Sequence, residues 1–273
     1  MEENKPIDVE EVLRRKAPRL ARGLPAFIVK YLIRVIHQDE LNGILLRYKN
    51  LEGVTFMKAL VKEFDLTLEC SGEENLPVDG RRCIFVSNHP LGGLDGICLA
   101  ALLGRHYENI TLLVNDLLLY IPNLRSIFAP VNKHGSQSRM SARQMDEAFA
   151  SDQQIITFPA GLCSRKQKGV ICDLEWKKSF IQKAIAYQRD VIPVYFEGHN
   201  SNFFYRLANF RKRIGLKMNI EMLYLPDEMF RNSHQTFHIY IGKPVPWQTF
   251  DGSRKSAEWA EWVRQTVYSL KCK

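Results

Sequence analysis

From about residue 65 onward, short apolar runs rich in β-branched and aromatic residues alternate with segments of helical periodicity. Such alternation is typical of strands joined by crossover helices, which place the strands parallel in one sheet. The predicted strands are Leu66–Cys70, Cys83–Ser87, Thr111–Val114, Ser126–Val131, Ile155–Phe158, Ile192–Phe196, Asn219–Tyr224 and Phe237–Ile241. The predicted helices are Gly96–Leu103, Ser141–Ala150, Leu174–Arg189, Phe203–Ile214 and Ala257–Leu270. The pattern therefore predicts an α/β fold, a mostly parallel twisted sheet flanked by helices.

The residues before this region differ in pattern. From about residue 8 to residue 46 the periodicity is helical, with no β-type alternation. We therefore expect residues 1–64 to form an N-terminal helical segment and residues 65–273 to form the α/β domain.

One part of the helical segment, Leu24–Ile36, is amphipathic. Its wide apolar face is bordered by a thin basic stripe of Lys30, Arg34 and His37. Such a helix either packs on the protein body or lies in a membrane interface with its basic residues at the lipid phosphates. The membrane interpretation gains support from the preceding basic residues, Arg14, Arg15, Lys16, Arg19 and Arg22. We therefore expect residues 1–64 to associate with a membrane.

Composition narrows the class of protein. Hydrophobic residues make up 45% of the 273 residues and charged residues 25%, which is typical of a folded globular chain. No run of 18 uncharged apolar residues occurs, so a conventional spanning helix is not expected, and the polar first 20 residues do not resemble a signal peptide. The six scattered cysteines, without a C-x-x-C pair, are expected to be reduced cytosolic thiols and to bind no zinc.

The net charge of +8 is unevenly distributed. Between Lys5 and Arg34 there are eight Lys and Arg against three acidic residues, and from Arg206 to Lys217 there are five basic residues and no acid. Basic clusters attract nucleic acid, an anionic membrane or an acidic carrier protein. Charge alone leaves these three partners open.

The segment Cys83–Asp95 carries the first candidate site. It reads C-I-F-V-S-N-H-P-L-G-G-L-D, an apolar strand followed by a glycine-containing loop and a helix start for which Asp95 is a suitable N-cap. His89 thus follows the carboxyl end of a predicted parallel strand, where ligands bind in open α/β sheets. If the loop brings Asp95 to one ring nitrogen, the other nitrogen can accept a proton from a substrate hydroxyl.

A second candidate site, Phe158–Arg165, also follows an apolar strand. It reads F-P-A-G-L-C-S-R, in which Pro159 and Gly161 favour a tight turn whose amides can face a ligand oxygen. Arg165, Lys166 and Lys168 add positive charge. The position at a strand end favours an anion-binding site over a solvated loop.

These two motifs resemble those of the glycerolipid (lysophospholipid, PlsC-like) acyltransferase superfamily. N-H-P-L-G-G-L-D at Asn88–Asp95 resembles the family's N-H-x4-D motif, and F-P-A-G-L-C-S-R resembles its F-P-E-G-T-R-S motif. Val191–Phe196 and Gly242–Pro244 resemble later strands of the family, and Ser126–Gly135 falls at its acceptor-binding motif. The resemblance covers roughly residues 83–196 and implies transfer of an acyl group.

Two departures from the family pattern bear on the acceptor. Five residues, not four, separate His89 from Asp95, while Ala160 replaces the motif's glutamate and its arginine falls two residues later, at Arg165. Both variations, with E-G-H-N-S at Glu197–Ser201, resemble the hemolysin-like branch, which includes ornithine-lipid and glycine-lipid O-acyltransferases. The resemblance thus implies a lyso-lipid acceptor, most consistent with a monoacyl amino-acid lipid; 1-acylglycerol 3-phosphate is the alternative.

The resemblance also assigns roles to residues. It implies that His89 is the general base and Asp95 its partner. The implied headgroup-binding residues are Phe158, Pro159, Gly161, Arg165 and, more weakly, Lys133 with His134. Further residues that could line the cleft are Asn88, Ser164, His199 and Asn200.

The implied reaction needs no metal and no cofactor, because its co-substrate, an acyl thioester, is already activated. The donor is either acyl carrier protein or coenzyme A, and the basic surface suits the acidic carrier protein. The expected location is peripheral, at the cytoplasmic side of the cell membrane, and no nucleic acid is expected as partner.

Other classes of function compete with this interpretation. A serine hydrolase would show a G-x-S-x-G elbow, and P-loop or dinucleotide folds would show their glycine motifs; none occurs. A basic nucleic-acid-binding protein and a membrane-lytic protein without acyl transfer remain as alternatives, although no nucleic-acid-binding motif accompanies the basic residues.

Overall fold

The computed structural model describes residues 6–16, 18, 22–114, 121–130 and 137–272. The helices are α1 (Val9–Lys16), α2 (Ala26–Val35), α3 (Gln38–Arg47), α4 (Gly53–Glu63), α5 (Leu94–Leu103), α6 (Gln137–Ala150), α7 (Ser179–Tyr187), α8 (Asn202–Arg213), α9 (Leu225–Arg231) and α10 (Ser256–Ser269). The strands are β1 (Thr67–Ser71), β2 (Cys83–Ser87), β3 (Ile110–Val114), β4 (Phe128–Pro130), β5 (Gln154–Thr157), β6 (Arg165–Gln167), β7 (Val170–Cys172), β8 (Asp190–Phe196) and β9 (Thr236–Ile241).

Seven of these strands form one twisted sheet in the order β1-β9-β8-β2-β5-β3-β4. All neighbours are parallel except β8 and β9, so β1 and β9 run opposite to the other five strands. The predicted fold class, a mostly parallel sheet flanked by helices, is confirmed. The carboxyl ends of β2, β5 and β8 therefore meet at one edge of the sheet.

The central strand β2 is buried along its whole length. Phe85 packs into the cluster that contains α4 and α5, whereas Ile84 and Val86 pack into the cluster that contains α7 and α10. Successive side chains of a strand point to opposite faces, so a continuous apolar run is what a sheet covered on both faces requires.

The helical N-terminal segment packs against this sheet. Helix α4 lies on α5, and Phe56, Met57 and Leu60 share the hydrophobic cluster of that face of the sheet. Helix α2 ends before His37, which has a left-handed backbone (φ 54°) and stacks on Phe230. The predicted basic stripe of α2 is therefore wrong for His37 and consists of Lys30 and Arg34. Among the described residues, no helix combines the length and apolarity needed to cross a bilayer.

One further predicted strand is wrong, and one hairpin was missed. The segment predicted as the strand Asn219–Tyr224 is a 3₁₀ helix, Ile220–Tyr224, whose charged Glu221 is buried against two arginines from elsewhere in the chain, a contact that the local pattern does not show. The hairpin β6–β7 was not predicted, since its first strand is polar. Its two turn residues, Lys168 and Gly169, both have positive φ, as a tight hairpin turn requires.

Candidate active site

His89 lies two residues beyond the end of β2, at the carboxyl edge of the parallel strands. The preceding Asn88 is buried, and its side chain exchanges two hydrogen bonds with the backbone of Phe196, at the end of β8. The amide Nδ2 donates to the carbonyl oxygen at 2.9 Å, and Oδ1 accepts from the backbone N–H at 2.7 Å. Asn88 thus extends the pairing of β2 with β8. It also fixes the start of the loop 88–93 between β2 and α5, which we call the His89 loop.

The loop brings His89 and Asp95 together. The ring Nδ1 lies 3.0 Å from Oδ2 of Asp95, a fully buried carboxylate. The same Oδ2 accepts backbone N–H groups of Leu91 (2.9 Å) and Gly92 (3.3 Å), while Oδ1 accepts that of Gly96 (2.8 Å). The carboxylate is held by the loop that it orients, so its position relative to the ring is set by the backbone.

The N-cap assigned to Asp95 is wrong. Helix α5 begins at Leu94, with Gly93 at the N-cap position, and Asp95 is the second residue of the helix. Its carboxylate points back to the loop and the His89 ring. The five-residue spacing accommodates this arrangement through Gly92, which has φ +83° and whose absent Cβ would lie 2.8 Å from Leu225.

The environment of the ring favours the protonated form of His89. Burial by itself lowers the pKa of His89, but the charge of Asp95, the hydrogen bond to Asp95 and the more distant charge of Asp173 outweigh it. The pKa is therefore raised above the ordinary histidine value of about 6.5. With Nδ1 engaged by Asp95, the tautomer that carries its proton on Nδ1 leaves Nε2 to accept a proton.

Phe158 fixes the plane of the ring. It follows β5 directly, and its ring stacks on that of His89 with centroids 4.2 Å apart and planes 26° from parallel. The residue predicted to shape the acceptor turn therefore contacts the proposed base itself.

Asp173, which the sequence did not single out, holds the His89 loop from the other side. It is buried, and its Oδ1 accepts the backbone N–H of His89 at 3.1 Å and the hydroxyl of Ser164 at 2.5 Å. Its Oδ2 accepts the indole N–H of Trp176 at 2.8 Å. Burial raises the pKa of Asp173, and these three hydrogen bonds offset part of that effect. The carboxylate thus joins the two candidate motifs.

The turn after β5 is tight, as predicted, whereas the binding of a ligand oxygen by its amides stays a prediction. Gly161 has φ +67°, and its N–H donates to the carbonyl of Phe158 at 2.9 Å. The carbonyl of the buried Pro159 accepts the backbone N–H of Lys177 at 3.1 Å, and a Cβ on Gly161 would collide with the Lys177 ammonium. The turn therefore packs directly under a lysine side chain that the sequence analysis did not identify.

Arg165 occupies an internal ion-pair cluster. Its Nη2 lies 2.8 Å from Oε1 of Glu221, and its Nη1 donates to the carbonyl of Cys163 at 2.7 Å. Arg211 pairs with the same buried carboxylate, its Nε lying 2.8 Å from Oε2. Both terminal nitrogens of Arg165 thus have protein partners, and the geometry favours a structural role. Binding of an anionic headgroup by Arg165 stays a prediction.

The remaining predicted residues divide between the cleft and its surroundings. A cleft of about 590 Å³ is lined by, among others, Asn88, Ser164 and His199, and it borders the His89 loop at Pro90. Asn200 is buried and donates from its amide to the carbonyl of Pro90 at 3.2 Å, so it supports the loop. Lys133 and His134 lie outside the described residues.

Comparison with known proteins supplies the family. An acyltransferase family model matches residues 11–273. The chain is 52% identical over 265 residues to a lyso-glycine lipid O-acyltransferase of Phocaeicola vulgatus, covering 97% of this chain and 95% of that protein. It has the same identity over 265 residues to a protein of that name from Bacteroides thetaiotaomicron, covering 97% of each.

A solved structure is also similar: the 1-acyl-sn-glycerophosphate acyltransferase PlsC from Thermotoga maritima, at 18% identity and a TM-score of 0.47, covers 90% of this chain and 94% of that one. The family model and the two relatives confirm, at the level of the family, the resemblance drawn from the motifs at Asn88–Asp95 and Phe158–Arg165. The chain belongs to the acyltransferase family, and it is an acyltransferase.

Proposed function

We propose that this enzyme transfers a fatty acyl group from an acyl thioester to the hydroxyl of a lyso-glycine lipid, with His89 as general base. The proposal of lyso-glycine lipid as the acceptor is supported by the 52% identity, over 97% of the chain, to the two lyso-glycine lipid O-acyltransferases. The observation that supports the base is the contact between Nδ1 of His89 and the buried Asp95.

The proposed chemistry follows from the ring geometry. Nε2 of His89 takes the proton of the acceptor hydroxyl as its oxygen attacks the thioester carbonyl. The resulting tetrahedral intermediate collapses to the ester, and the thiolate leaves with the proton that the imidazolium returns. Asp95 stabilises the imidazolium between these two transfers, which is the role of the carboxylate in a catalytic triad. The thioester is already activated, so we propose no metal or redox cofactor.

The donor is proposed to be acyl carrier protein, with coenzyme A as the alternative. The carrier protein is acidic, and the net charge of +8 favours its approach. We further propose a peripheral location at the cytoplasmic side of the cell membrane. Helix α2 supports it, because Phe27 and Tyr31 are exposed beside Lys30 and Arg34.

A transfer assay tests the acceptor and the donor together. Purified enzyme is offered lyso-glycine lipid, monoacyl ornithine lipid and lysophosphatidic acid in parallel, each with labelled acyl carrier protein and with labelled acyl coenzyme A. We expect diacyl product chiefly from lyso-glycine lipid. Product from lysophosphatidic acid alone would assign the enzyme to phospholipid synthesis, and no product from any acceptor would refute the proposed function.

A further inference from the structure

An apolar surface is exposed on the second half of the chain, far in sequence from α2. Helix α8 and the residues after it expose six large apolar side chains: Phe203, Phe210, Ile214, Leu216, Met218 and Leu223. Three of them, Ile214, Leu216 and Met218, are 57%, 38% and 58% exposed within the exposed run 212–218. Burying such side chains in a protein core would be favourable, so their common exposure indicates a surface that is covered in use.

This surface continues onto α2. The hydroxyls of Tyr31 and Tyr224 lie 2.8 Å apart, and the ring of Tyr224 contacts that of Phe203 with centroids 5.0 Å apart. Phe27, one helical turn before Tyr31, is 71% exposed. These two contacts place Tyr31 of α2 beside Phe203 and Tyr224, near the two ends of the segment 203–223. We call the exposed residues of α2, of α8 and of 214–223 the docking face.

The charges on the docking face are basic. Lys30 and Arg34 of α2 are exposed, as are Arg206, Lys212, Arg213 and Lys217. From residue 206 to residue 218 the chain has no acidic residue, and the nearest one, Glu221, is buried between Arg165 and Arg211. This mixture of cations and apolar side chains suits an anionic bilayer, because the cations can pair with the lipid phosphates while the apolar side chains enter the hydrocarbon beneath them.

The docking face is joined to the His89 loop. Leu225, two residues after the exposed Leu223, packs on Gly92 of that loop. Met222 contacts Cys163 of the second motif, with the two sulfur atoms 3.7 Å apart. A bilayer on this face would therefore present a lipid hydroxyl beside the site.

We infer that the segment 203–223 is a second membrane-docking element, which inserts Ile214, Leu216 and Met218 into an anionic bilayer beside α2. The inference rests on the proposed function, because a lyso-lipid acceptor is what places the reaction at a membrane. An acidic carrier protein would match the cations, but it would not require the three exposed apolar side chains of residues 214–218. The bilayer accounts for both features.

Vesicle sedimentation tests the inference. The double variant Ile214→Glu with Met218→Glu should lower the binding to vesicles of phosphatidylglycerol and phosphatidylcholine at least tenfold, because it removes two inserted side chains and adds two negative charges. The matched controls are Val78→Glu and Leu46→Glu, at sites 93% and 67% exposed outside the docking face, and each should stay within about twofold of wild type. Equal binding by the double variant and wild type would overturn the inference.

Charge variants test the second feature. Lys212→Gln with Arg213→Gln should weaken binding about fivefold per residue at low salt, and this difference should shrink at high salt or on pure phosphatidylcholine. If instead these variants lost binding to acyl carrier protein while vesicle binding stayed unchanged, the face would be a carrier-protein site and the inference would fail.

Activity with two forms of acceptor separates this inference from the proposed function. With acceptor dispersed in detergent, the Ile214→Glu/Met218→Glu variant should match wild type, whereas with acceptor in anionic vesicles it should lose at least tenfold. A wild type that is inactive with both forms of the acceptor would refute the proposed function and leave the vesicle-binding result to decide the docking element. A variant as active as wild type on vesicles would refute the docking element alone.

Discussion

Two buried aspartates hold His89, and they hold different parts of it. Asp95 contacts the ring at Nδ1, whereas Asp173 accepts the backbone N–H and has no ring contact among the described residues. Asp95 receives its other hydrogen bonds from the His89 loop and the start of α5, while Asp173 receives its others from Ser164 and Trp176. One carboxylate is thus tied to the proton chemistry of the ring and the other to the placement of two loops.

The two aspartates therefore control different properties of His89: Asp95 controls the protonation of its ring, and Asp173 controls the position of its backbone. A carboxylate at the ring stabilises the imidazolium directly, so its loss changes both the tautomer and the pKa of His89. A carboxylate at the backbone acts on the ring only through its more distant charge and through the loop that it fixes. The following substitutions test this separation.

Removal of the ring has the largest expected effect. His89→Ala should lower kcat/KM for transfer by about 10³-fold or more, because it removes general-base catalysis and the group that Asp95 orients. The matched control is His106→Ala, which removes a similar histidine–carboxylate pair, His106 with Glu73 (2.6 Å), at the protein surface. If His89→Ala remained as active as the control, His89 would not be the base.

Loss of the ring carboxylate ranks next. Asp95→Asn should lower kcat by about 10²- to 10⁴-fold, since an amide neither stabilises the imidazolium nor fixes the tautomer. Single-turnover rates with saturating donor measure this directly, and circular dichroism checks the fold. A rate within threefold of wild type would remove Asp95 from the mechanism.

Loss of the backbone carboxylate should have a smaller effect on rate. In Asp173→Asn the amide oxygen can still accept from His89 and Ser164, but its NH2 group faces the indole N–H of Trp176. We expect about a tenfold fall in kcat and a loss of about 1–3 kcal/mol in the free energy of unfolding, measured by urea denaturation. Trp176→Phe removes the same hydrogen bond but keeps the charge, so only Asp173→Asn should shift the pH profile.

Loss of the stacking ring ranks last. Phe158→Leu keeps an apolar side chain but removes the stack on His89, which is worth about 0.5–1.5 kcal/mol. We therefore expect a fall in kcat/KM of about two- to tenfold with an unchanged pH profile. A hundredfold loss would mean that Phe158 does more than orient the ring.

The sequence predicted the parts of the fold that depend on local pattern. Strand β2 was predicted with its observed bounds, Cys83–Ser87, because its first four residues are apolar and lie between a charged residue and a polar loop. The glycine loop made a contact between His89 and Asp95 feasible, and the position at a strand end, the Phe158–Arg165 turn and the family resemblance made it the expected one. The hairpin β6–β7 carried a usable signal, Lys168–Gly169 between two short runs, that the polar residues of β6 obscured.

Other features depend on contacts that no local pattern shows. The segment 219–224 has the composition of a strand, but it forms a 3₁₀ helix in which Glu221 is buried between Arg165 and Arg211. The same ion pairs give Arg165 internal partners that the motif does not indicate. Asp173 lies at the end of the unpredicted hairpin, so nothing in the sequence connected it with His89.

The pH dependence of kcat/KM for lyso-glycine lipid, in wild type and in Asp95→Asn, tests the central claim most directly. A base must be neutral to accept a proton, so activity should fall as the pH falls through the pKa of His89, which lies above the ordinary value of about 6.5. In Asp95→Asn the effect of burial is no longer outweighed, so this acidic limb should move to lower pH. An acidic limb at the same pH in both proteins would contradict the pairing of His89 with Asp95 as the source of catalysis.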